Sequence, residues 1–257
     1  MKKVAVVSGG TSGIGEAIVE TLARAGMHVE FCGRRADPVS LHEGRWHAEG
    51  LDVAGSVCDV TNEEDVDQYV RDIVGRCGRI NCLVNNAGTS GGGPFHELST
   101  DVWRHIMATN CDSVFFMSRA VLREGGILDH EHGRIINIAS TAGKQGIPLS
   151  APYNASKHAV VGITRSLALE YAKRNVTVNA VCPGYVQTPM ADTVIRRNAE
   201  ISDRTVEEIR KEFEKKIPIG RYSTPAEVAS LVNYLTSPEA AAITGQALNV
   251  CGGLGRF

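Results

Sequence analysis

The stretch "VAVVSGGTSGIGEAI", residues 4–18, has the pattern of a strand, a glycine-rich turn and the start of a helix. Residues 4–8 are apolar almost throughout, which is typical of a parallel strand covered on both faces. Gly9, Gly13 and Gly15 follow, and small residues at such a turn let the backbone approach a pyrophosphate at the helix N-terminus. The stretch therefore predicts the first unit of a dinucleotide-binding sheet.

The same alternation continues along the chain. Helical patterns separate most of the further predicted strands, at 28–33, 52–57, 80–85, 134–140, 176–181 and 247–250. Repeated strand–helix alternation predicts an α/β fold with one doubly wound parallel sheet of about seven strands and helices on both faces. No linker, repeat or low-complexity tract interrupts residues 1–257, so we expect a single domain.

Local signals mark some helix boundaries. Thr61 is expected to cap the helix 63–76, and Thr224 followed by Glu227 predicts a capping box. The segment 37–50 contains a proline and two glycines and shows no clean helical stripe. We therefore expect its crossover helix to be short, distorted or mobile.

Composition excludes several functional classes. The 257 residues are 43% hydrophobic and 22% charged, and the formal net charge is −2, which gives no electrostatic case for nucleic acid or a membrane surface. The apolar run near the start is too short for a signal peptide or a membrane span, which predicts a cytoplasmic protein. The seven cysteines contain no C-x-x-C pair and the histidines lack metal spacing, so we expect reduced core thiols and no metal.

The end of the second predicted strand, "CGRRAD", indicates which dinucleotide is bound. An acidic residue there usually holds a free ribose 2′-hydroxyl, whereas this chain has Arg34 and Arg35, whose guanidinium groups suit a 2′-phosphate. This predicts NADPH, although two exposed surface arginines are the alternative and Asp37 keeps NADH open. Asp59, after the third strand, is placed to reach the adenine ring or to cap a turn.

The stretch "PYNASKH", residues 152–158, places Tyr153 one helical turn from Lys157. A free tyrosine has a pKa of about 10, and a nearby cation and the positive end of a helix both favour its ionised form. Ser150 and Pro152 predict that Tyr153 lies at a helix start. Tyr153 can therefore act as a proton donor whose pKa is lowered by Lys157, and Lys157 can also reach a cofactor ribose. Ser140, after the fifth strand, can hold a substrate carbonyl beside the phenol. The alternative is that Tyr153 and Lys157 are an ordinary pair of side chains on a helix surface.

Taken in order, these motifs resemble the short-chain dehydrogenases/reductases over essentially the whole chain. The matching positions are the glycine loop at 9–15, "NNAG" at 85–88, Asn110, Ser140, Tyr153 with Lys157, and Pro183–Gly184. The resemblance implies a Rossmann fold in which Tyr153 is the general acid, Ser140 positions the carbonyl, Lys157 lowers the tyrosine pKa and Asn110 holds a water in the proton relay. The predicted cofactor site comprises Ser8, Gly9, Thr11, Ser12, Gly13, Ile14, Gly15, Arg34, Arg35, Asp59, Val60, Asn86, Ala87, Gly88, Tyr153, Lys157, Pro183, Gly184, Val186 and Thr188.

Further stretches are similar to the ketoreductases of aromatic, type II polyketide pathways. They include "GGGPF" at 91–95, "ASTAGKQG" at 139–146 and "QALNVCGGLG" at 246–255. This resemblance implies that a homotetramer uses NADPH to reduce one carbonyl, usually C9, of a poly-β-ketone carried on an acyl carrier protein.

Some positions depart from the family pattern. Ser8 and Gly10 stand where Thr and Ala are commoner, although serine keeps the hydroxyl. Thr61 and Thr89 replace arginines that help to form the carrier-binding face, and Ser90 replaces a proline tied to stereochemical control. The docking mode and the alcohol enantiomer therefore stay open.

Residues 185–224 form a long excursion after the sixth predicted strand. The stretch 206–216 has an amphipathic, highly charged pattern, which predicts either a lid over a pocket or a solvated surface helix. Basic side chains here were candidates to receive an acidic carrier protein, with acidic residues interleaved: Arg196, Arg197, Arg210, Lys211, Lys215 and Lys216.

Three other functions compete with polyketide ketoreduction. A 3-oxoacyl-carrier-protein reductase of fatty-acid synthesis has the same chemistry on a smaller substrate, but "KQG" and "NVCGGLG" favour the polyketide alternative. Arg34 and Arg35 argue against an oxidising alcohol or sugar dehydrogenase, because NADP(H) usually serves reduction. A catalytically silent, cofactor-sensing protein would be expected to lack Tyr153, Lys157 or Ser140.

Overall fold

Seven parallel strands form one sheet in the order β3-β2-β1-β4-β5-β6-β7 in the computed structural model, which describes residues 2–129 and 132–255. The remaining positions of the predicted domain 1–257 lie outside the described residues. The strands are β1 Val4–Ser8, β2 His28–Gly33, β3 Val53–Val57, β4 Cys82–Asn85, β5 Gly133–Ile138, β6 Val176–Pro183 and β7 Ala247–Val250. The order reverses between β1 and β4, which is where doubly wound sheets bind ligands at the strands' carboxyl ends.

Helices cover both faces of this sheet. They are α1 Gly13–Arg24, α2 Ala36–Ala48, α3 Glu63–Cys77, α4 Thr100–Met107, α5 Ser113–Glu124, α6 Ala151–Tyr171, α7 Pro189–Ser202, α8 Val206–Lys215 and α9 Pro225–Thr236. Alternate residues of β1 point to opposite faces. Ala5 and Val7 pack in the core with α1 and α9, and Val4 and Val6 pack in the core with α3 and α5. The predicted α/β fold with a doubly wound parallel sheet is confirmed.

The crossover between β2 and β3 is a regular helix, so the expectation for residues 37–50 was wrong. Only Val39 and Trp46 of α2 are buried, and these two positions lie two turns apart on one face. Trp46 packs edge-on against Phe31, with ring centroids 5.1 Å apart. Two apolar contacts anchor the helix, which is why no broad hydrophobic stripe is visible in the sequence.

The predicted helix caps are partly confirmed. Thr224 and Glu227 form the capping box at the start of α9. Asn62, not Thr61, caps α3, because the Asn62 side chain accepts hydrogen bonds from the N–H groups of Glu64 and Asp65. Ser150 occupies the N-cap position of α6 but makes no capping hydrogen bond with its side chain.

The structure also bears on membrane-spanning helices and on the state of the cysteines. Within residues 2–129 and 132–255, no helix combines the length and hydrophobicity that crossing a bilayer requires. The cysteines are all free thiols; Cys77 and Cys111 are partly exposed and the others are buried.

The anchoring role of Trp46 predicts a large effect of Trp46→Ala. Truncating this fully buried side chain should lower the free energy of unfolding by about 3–5 kcal/mol, because it leaves a cavity between α2 and β2. Leu41→Ala on the same helix is the matched control, since Leu41 is 71% exposed and should change stability by about 0.5 kcal/mol at most. Urea denaturation followed by circular dichroism measures the stability of both variants. An equal loss of stability in the two would contradict the anchoring role of Trp46.

Candidate active site

The glycine-rich turn after β1 is shaped by backbone contact. Gly9 and Gly13 have φ angles of 66° and 55°, in the left-handed region that favours glycine. A Cβ atom at Gly15 would lie 2.1 Å from the Gly9 carbonyl oxygen, so no other residue fits there. Ser12 makes no side-chain capping hydrogen bond to α1, and the first N–H groups of a helix suit a phosphate. This cradle fits the pyrophosphate of a dinucleotide.

The "NNAG" segment after β4 braces this turn. The Ser8 hydroxyl accepts hydrogen bonds from the N–H groups of Asn86 (3.0 Å) and Ala87 (3.1 Å). The Asn86 side-chain amide donates to the carbonyl oxygens of Ser8 and Gly9, both at 3.0 Å. Asn86 therefore holds the cofactor turn in place, a positioning role that the sequence analysis missed, and the Ser8 hydroxyl does what the commoner threonine could do.

The unusual Gly10 has a packing explanation. A Cβ atom at this position would lie 2.8 Å from Cβ of Phe31 and 3.0 Å from Cγ2 of Val19. The commoner alanine would collide with Phe31, whose ring in turn supports Trp46. Glycine at position 10 thus accompanies a large aromatic side chain on β2.

Arg34, Arg35 and Asp59 lie at the carboxyl ends of β2 and β3, beside the glycine turn. Both arginines are exposed, and Thr11 of the turn lies against the end of β2 at Gly33. The Asp59 Oδ1 accepts hydrogen bonds from the Thr61 N–H (3.0 Å) and hydroxyl (2.8 Å), so Asp59 caps a turn. Burial alone would raise the pKa of Asp59, but these hydrogen bonds and the Arg34 charge hold it below its usual value.

Val60, also predicted to contact the cofactor, has its side chain buried in the hydrophobic core among the residues of α3. Only its backbone is therefore placed to reach a ligand. The burial of a valine after β3 could have been anticipated from its apolar type.

Ser140 and Tyr153 come together although they are 13 positions apart in the sequence. Ser140 follows β5, and its hydroxyl accepts a hydrogen bond from the Ala142 N–H at 3.1 Å. Tyr153 lies in the first turn of α6. Burial raises the pKa of the Tyr153 phenol, and a hydrogen bond with the Ser140 side chain offsets part of that rise. The two hydroxyls can hold one carbonyl oxygen between them.

Lys157 lies one turn along α6 from Tyr153. It is only 5% exposed, its Nζ donates to the Ile138 carbonyl oxygen at 2.9 Å, and Nζ is 5.9 Å from the centre of the Tyr153 ring. Burial lowers the pKa of Lys157 to about 8, so most of the side chains are charged at neutral pH. The Lys157 charge is not a cause of the Tyr153 shift in this geometry. The predicted tuning of the phenol by Lys157 stays a prediction.

Asn110 lies in a π-helical segment, Ala108–Asp112, between α4 and α5. It is fully buried, its Oδ1 accepts from the Thr89 N–H at 2.7 Å, and its Nδ2 donates to the Thr89 carbonyl (2.9 Å) and the Ser156 hydroxyl (3.1 Å). A Cβ atom at Gly88 would lie 3.3 Å from Asn110 Oδ1 and 3.6 Å from Lys157 Nζ. The side chain of Asn110 thus joins the "NNAG" segment to α6, and its water-holding role stays a prediction.

The "PG" segment closes the cofactor site from the other side. Gly184 donates its N–H to the Val250 carbonyl at 3.0 Å, and Val186 is buried. Thr188 caps α7, and its Cγ2 would lie 3.1 Å from a Cβ atom at Gly13. Two predicted cofactor segments that are far apart in the sequence therefore meet at the glycine turn.

The excursion at 185–224 has a small hydrophobic core of its own. It contains Ile195, Ala199, Ile209, Ile217 and Tyr222. Tyr185 stacks on Phe213 with ring centroids 5.1 Å apart. Because α8 packs into this core, it is more than a solvated surface helix. On α7, Arg197 donates to the Gly92 carbonyl at 3.1 Å, which links the excursion to the "GGGPF" stretch.

Most of the basic side chains on this excursion already have partners. Arg210 pairs with Asp192 at 2.8 Å, and Lys216 pairs with Glu212 at 2.8 Å. Lys211 pairs with Glu207 at 3.4 Å. The interleaved acids therefore neutralise much of the positive surface that a carrier protein was expected to meet.

Comparison with known proteins identifies the family. The family model described as enoyl-(acyl carrier protein) reductase matches residues 9–255. The chain belongs to the short-chain dehydrogenase/reductase family. A solved structure of an actinorhodin polyketide ketoreductase variant with NADPH superposes on this short-chain dehydrogenase/reductase with a TM-score of 0.97, at 45% identity, covering 100% of this chain and 98% of that one.

Two curated relatives of this short-chain dehydrogenase/reductase span nearly its whole length. One, by name a ketoacyl reductase of the monensin polyketide synthase of Streptomyces virginiae, is 53% identical over 99% of this chain and 98% of its own. The other, a 3-oxoacyl-[acyl-carrier-protein] reductase of Vibrio cholerae, is 38% identical over 98% of this chain and 97% of its own. The predicted family membership and Rossmann fold are confirmed, and the chain is an oxidoreductase.

The two hydrogen bonds that the Ser8 hydroxyl accepts predict different outcomes for two substitutions. Ser8→Ala leaves the Asn86 and Ala87 N–H groups without their acceptor and should cost about 1–3 kcal/mol of stability, with weaker NADPH binding. Ser8→Thr keeps the hydroxyl and should preserve both properties. Urea denaturation and fluorescence titration with NADPH measure the pair; Ser8→Ala behaving like Ser8→Thr would refute the brace.

Proposed function

We propose that this enzyme reduces one ketone, the C9 carbonyl, of a poly-β-ketone bound to an acyl carrier protein during the biosynthesis of an aromatic polyketide. The enzyme is an NADPH-dependent ketoreductase that acts in polyketide biosynthesis. The observation that supports the finer proposal is the pair of hydroxyls, Ser140 and Tyr153, that can hold a ketone oxygen next to exposed apolar side chains that suit a bulky substrate.

The residues of the site divide the work of ketone reduction. NADPH, when bound, supplies the hydride. The Ser140 and Tyr153 hydroxyls hold the ketone oxygen, and the Tyr153 phenol gives its proton to that oxygen as negative charge develops. Because burial raises the pKa of Tyr153, the phenol is protonated and ready to donate at neutral pH. The charged Lys157, between Tyr153 and Gly88, is placed to hold the cofactor ribose.

Asn110 contributes through the protein frame. By holding Thr89 and Ser156, it sets the distance between the segment after β4 and the helix that carries Tyr153 and Lys157. A water held at this segment would return the proton to Tyr153, as the resemblance implies. Holding the reacting groups at a fixed distance and orientation lowers the barrier to reaction.

A bulky, apolar substrate suits the rim of the site. Gly92 and Gly93 pack against Leu149, and the Gly93 N–H donates to the Leu149 carbonyl at 2.8 Å. Leu149 itself is 66% exposed, and Phe95, which follows the glycines in the sequence, is 74% exposed. Apolar side chains exposed together beside a catalytic site are typical of a ligand-binding groove. They support a substrate larger than a short acyl chain.

We also propose that the protein works in the cytoplasm as a homotetramer. Apolar side chains that are exposed on neighbouring helices support assembly: Trp103 on α4, Phe115 on α5 and Leu169 on α6. The carrier protein is not assigned to α8, because the lysines and arginines there are largely paired.

The experiment that tests the proposed substrate follows NADPH oxidation with a bicyclic ketone and an acetoacetyl thioester side by side. We expect a higher kcat/KM for the bicyclic ketone, because Phe95 and Leu149 expose apolar surface at the rim. NADH is the cofactor control. Preference for the short thioester would overturn the polyketide substrate and favour the fatty-acid reductase, to which the Vibrio cholerae relative belongs by name.

The proposed acid predicts the behaviour of Tyr153→Phe. Turnover with the bicyclic ketone should fall about 10²–10⁴-fold or below detection, while NADPH affinity stays unchanged, because only the proton donor is removed. Tyr234→Phe is the matched control, since Tyr234 is a 46% exposed tyrosine on α9. Stopped assays and fluorescence titration give both quantities; retained activity in Tyr153→Phe would sink the acid assignment.

The proposed 2′-phosphate contact predicts a cofactor-specific effect of Arg34→Ala. A hydrogen bond to a charged group contributes about 1.5–3 kcal/mol, so NADPH affinity should fall about 10- to 100-fold while NADH affinity changes little. Arg123→Ala, which removes an exposed arginine from α5, should leave both affinities unchanged. Equal losses for the two cofactors in Arg34→Ala would refute the contact.

A further inference from the structure

A second cluster of chemically active side chains lies at the amino edge of the sheet, at the opposite end of β2 from Arg34. His28 begins β2, Glu30 lies on the same strand, and Cys77 ends α3. His28 Nε2, Glu30 Oε1 and Cys77 Sγ lie within 4.8 Å of one another. Ketone reduction uses none of these three residues.

The two distances to the Glu30 carboxylate oxygen are close to those around a tetrahedral metal ion. His28 Nε2 lies 3.2 Å from Glu30 Oε1, and Cys77 Sγ lies 3.5 Å from the same oxygen. Ligand atoms bound at about 2.0–2.3 Å to one tetrahedral zinc ion lie about 3.3–3.6 Å apart. The third pair, His28 and Cys77, has its ligand atoms at most 4.8 Å apart, so a shift of one of these two side chains toward the other lets all three share an ion.

Asp52 orients the histidine of the cluster. Its Oδ1 lies 2.8 Å from His28 Nδ1, which is the carboxylate–histidine arrangement found behind many metal-binding imidazoles. With the Nδ1 proton directed to Asp52, the Nε2 lone pair faces a carboxylate oxygen of Glu30. Two acceptors at this distance need a proton or a metal cation between them.

Glu30 is the buried member of the cluster. It is 1% exposed, and Arg76 Nη2 donates to its Oε2 at 2.8 Å, with a longer contact of 3.4 Å from Arg76 Nε to Oε1. The stronger of these bonds is to Oε2, so Oε1 is the oxygen that faces His28 and Cys77. A buried carboxylate held in this way has a defined position toward an ion.

There is room for an ion and its water beside the cluster. An open surface pocket of about 260 Å³ borders His28, Asp52 and Cys77, with Lys2 and Arg79 on its wall and the buried Glu30 behind it. One water occupies about 30 Å³ of liquid volume. The cavity can therefore supply a fourth ligand and a path from solvent.

We propose that His28, Glu30 and Cys77 bind one divalent transition-metal ion of the zinc class, with Asp52 orienting His28 and a water as fourth ligand. A mixture of thiolate, imidazole and carboxylate suits such an ion better than Mg²⁺ or Ca²⁺. The thiol proton passes to solvent when the ion binds. The ion joins the start of β2 to the end of α3 and acts on stability, independently of the proposed function.

The proposal departs from the expectation of no metal. That expectation rested on the spacing of histidines along the chain, whereas Glu30 and Cys77 are 47 positions apart. A strand start and a helix end meet only when β2 and α3 pack together, so sequence spacing carries no sign of the set.

Cobalt titration of the chelator-treated, full-length protein tests the proposal. We expect one Co²⁺ per chain and a thiolate-to-cobalt charge-transfer band. Cys77→Ser should lose the band, and His28→Gln should weaken Co²⁺ binding about tenfold or more. Cys111→Ser, which removes the other partly exposed thiol, is the matched control and should keep the band. No band in the natural protein, or an unchanged band in Cys77→Ser, would overturn the site.

Thermal unfolding with Zn²⁺ provides a second measurement. Zn²⁺ should raise the melting temperature of the natural protein, because an ion bound only to the folded state stabilises it. The double variant His28→Gln/Cys77→Ser, shown to be folded by circular dichroism, should not respond. Equal responses of the two proteins would mean that Zn²⁺ binds elsewhere and would overturn the proposal. Neither readout uses ketone reduction, so the two proposals can fail separately.

Discussion

The contact between the ends of β1 and β4 is the constraint on which the rest of the site depends. Gly15 leaves no space for a Cβ atom beside the Gly9 carbonyl, and the Asn86 amide holds that same carbonyl in place. The Ser8 hydroxyl adds two more hydrogen bonds across the strands. Because Ser8 is buried and its partners are half-buried, an unmade bond would carry a desolvation cost, which favours one shape of the turn. The predicted cofactor cradle is therefore preformed.

The proposed catalytic side chains are arranged from this same edge of the sheet. Ser140 follows β5, Tyr153 and Lys157 share a face of α6, and Asn110 ties that helix to the segment after β4. Burial disfavours the charged form of both side chains, so it lowers the pKa of Lys157 and raises the pKa of Tyr153. The site thus combines a protonated phenol with an ammonium whose Nζ is 5.9 Å from the centre of the phenol ring. Charges and dipoles that are held in place before the reaction act more strongly where less water screens them.

Much of this could be predicted from local patterns, and the errors have physical causes. Alternation of apolar runs predicted the strands because parallel strands are buried on both faces. The helix α2 was misjudged because Val39 and Trp46 alone anchor it, and two contacts leave no periodic stripe. Thr61 was expected to be a cap, but its hydroxyl donates to Asp59 and the next residue, Asn62, caps α3. Several chemically suitable residues stood side by side there, and only the chain path decides which one reaches the free N–H groups.

The sequence by itself determined the fold class, the shape of the glycine-rich turn and the one-turn spacing of Tyr153 and Lys157, because each depends on residues within one strand, turn or helix. Tertiary structure alone decided that Asn86 braces the turn, that Thr188 lies over Gly13, and that Tyr185 stacks on Phe213 within the excursion. It also decided that His28, Glu30 and Cys77 meet at the amino edge. These contacts join residues from separate elements. Their distances follow from how helices pack on the sheet, and no periodicity along the chain encodes them.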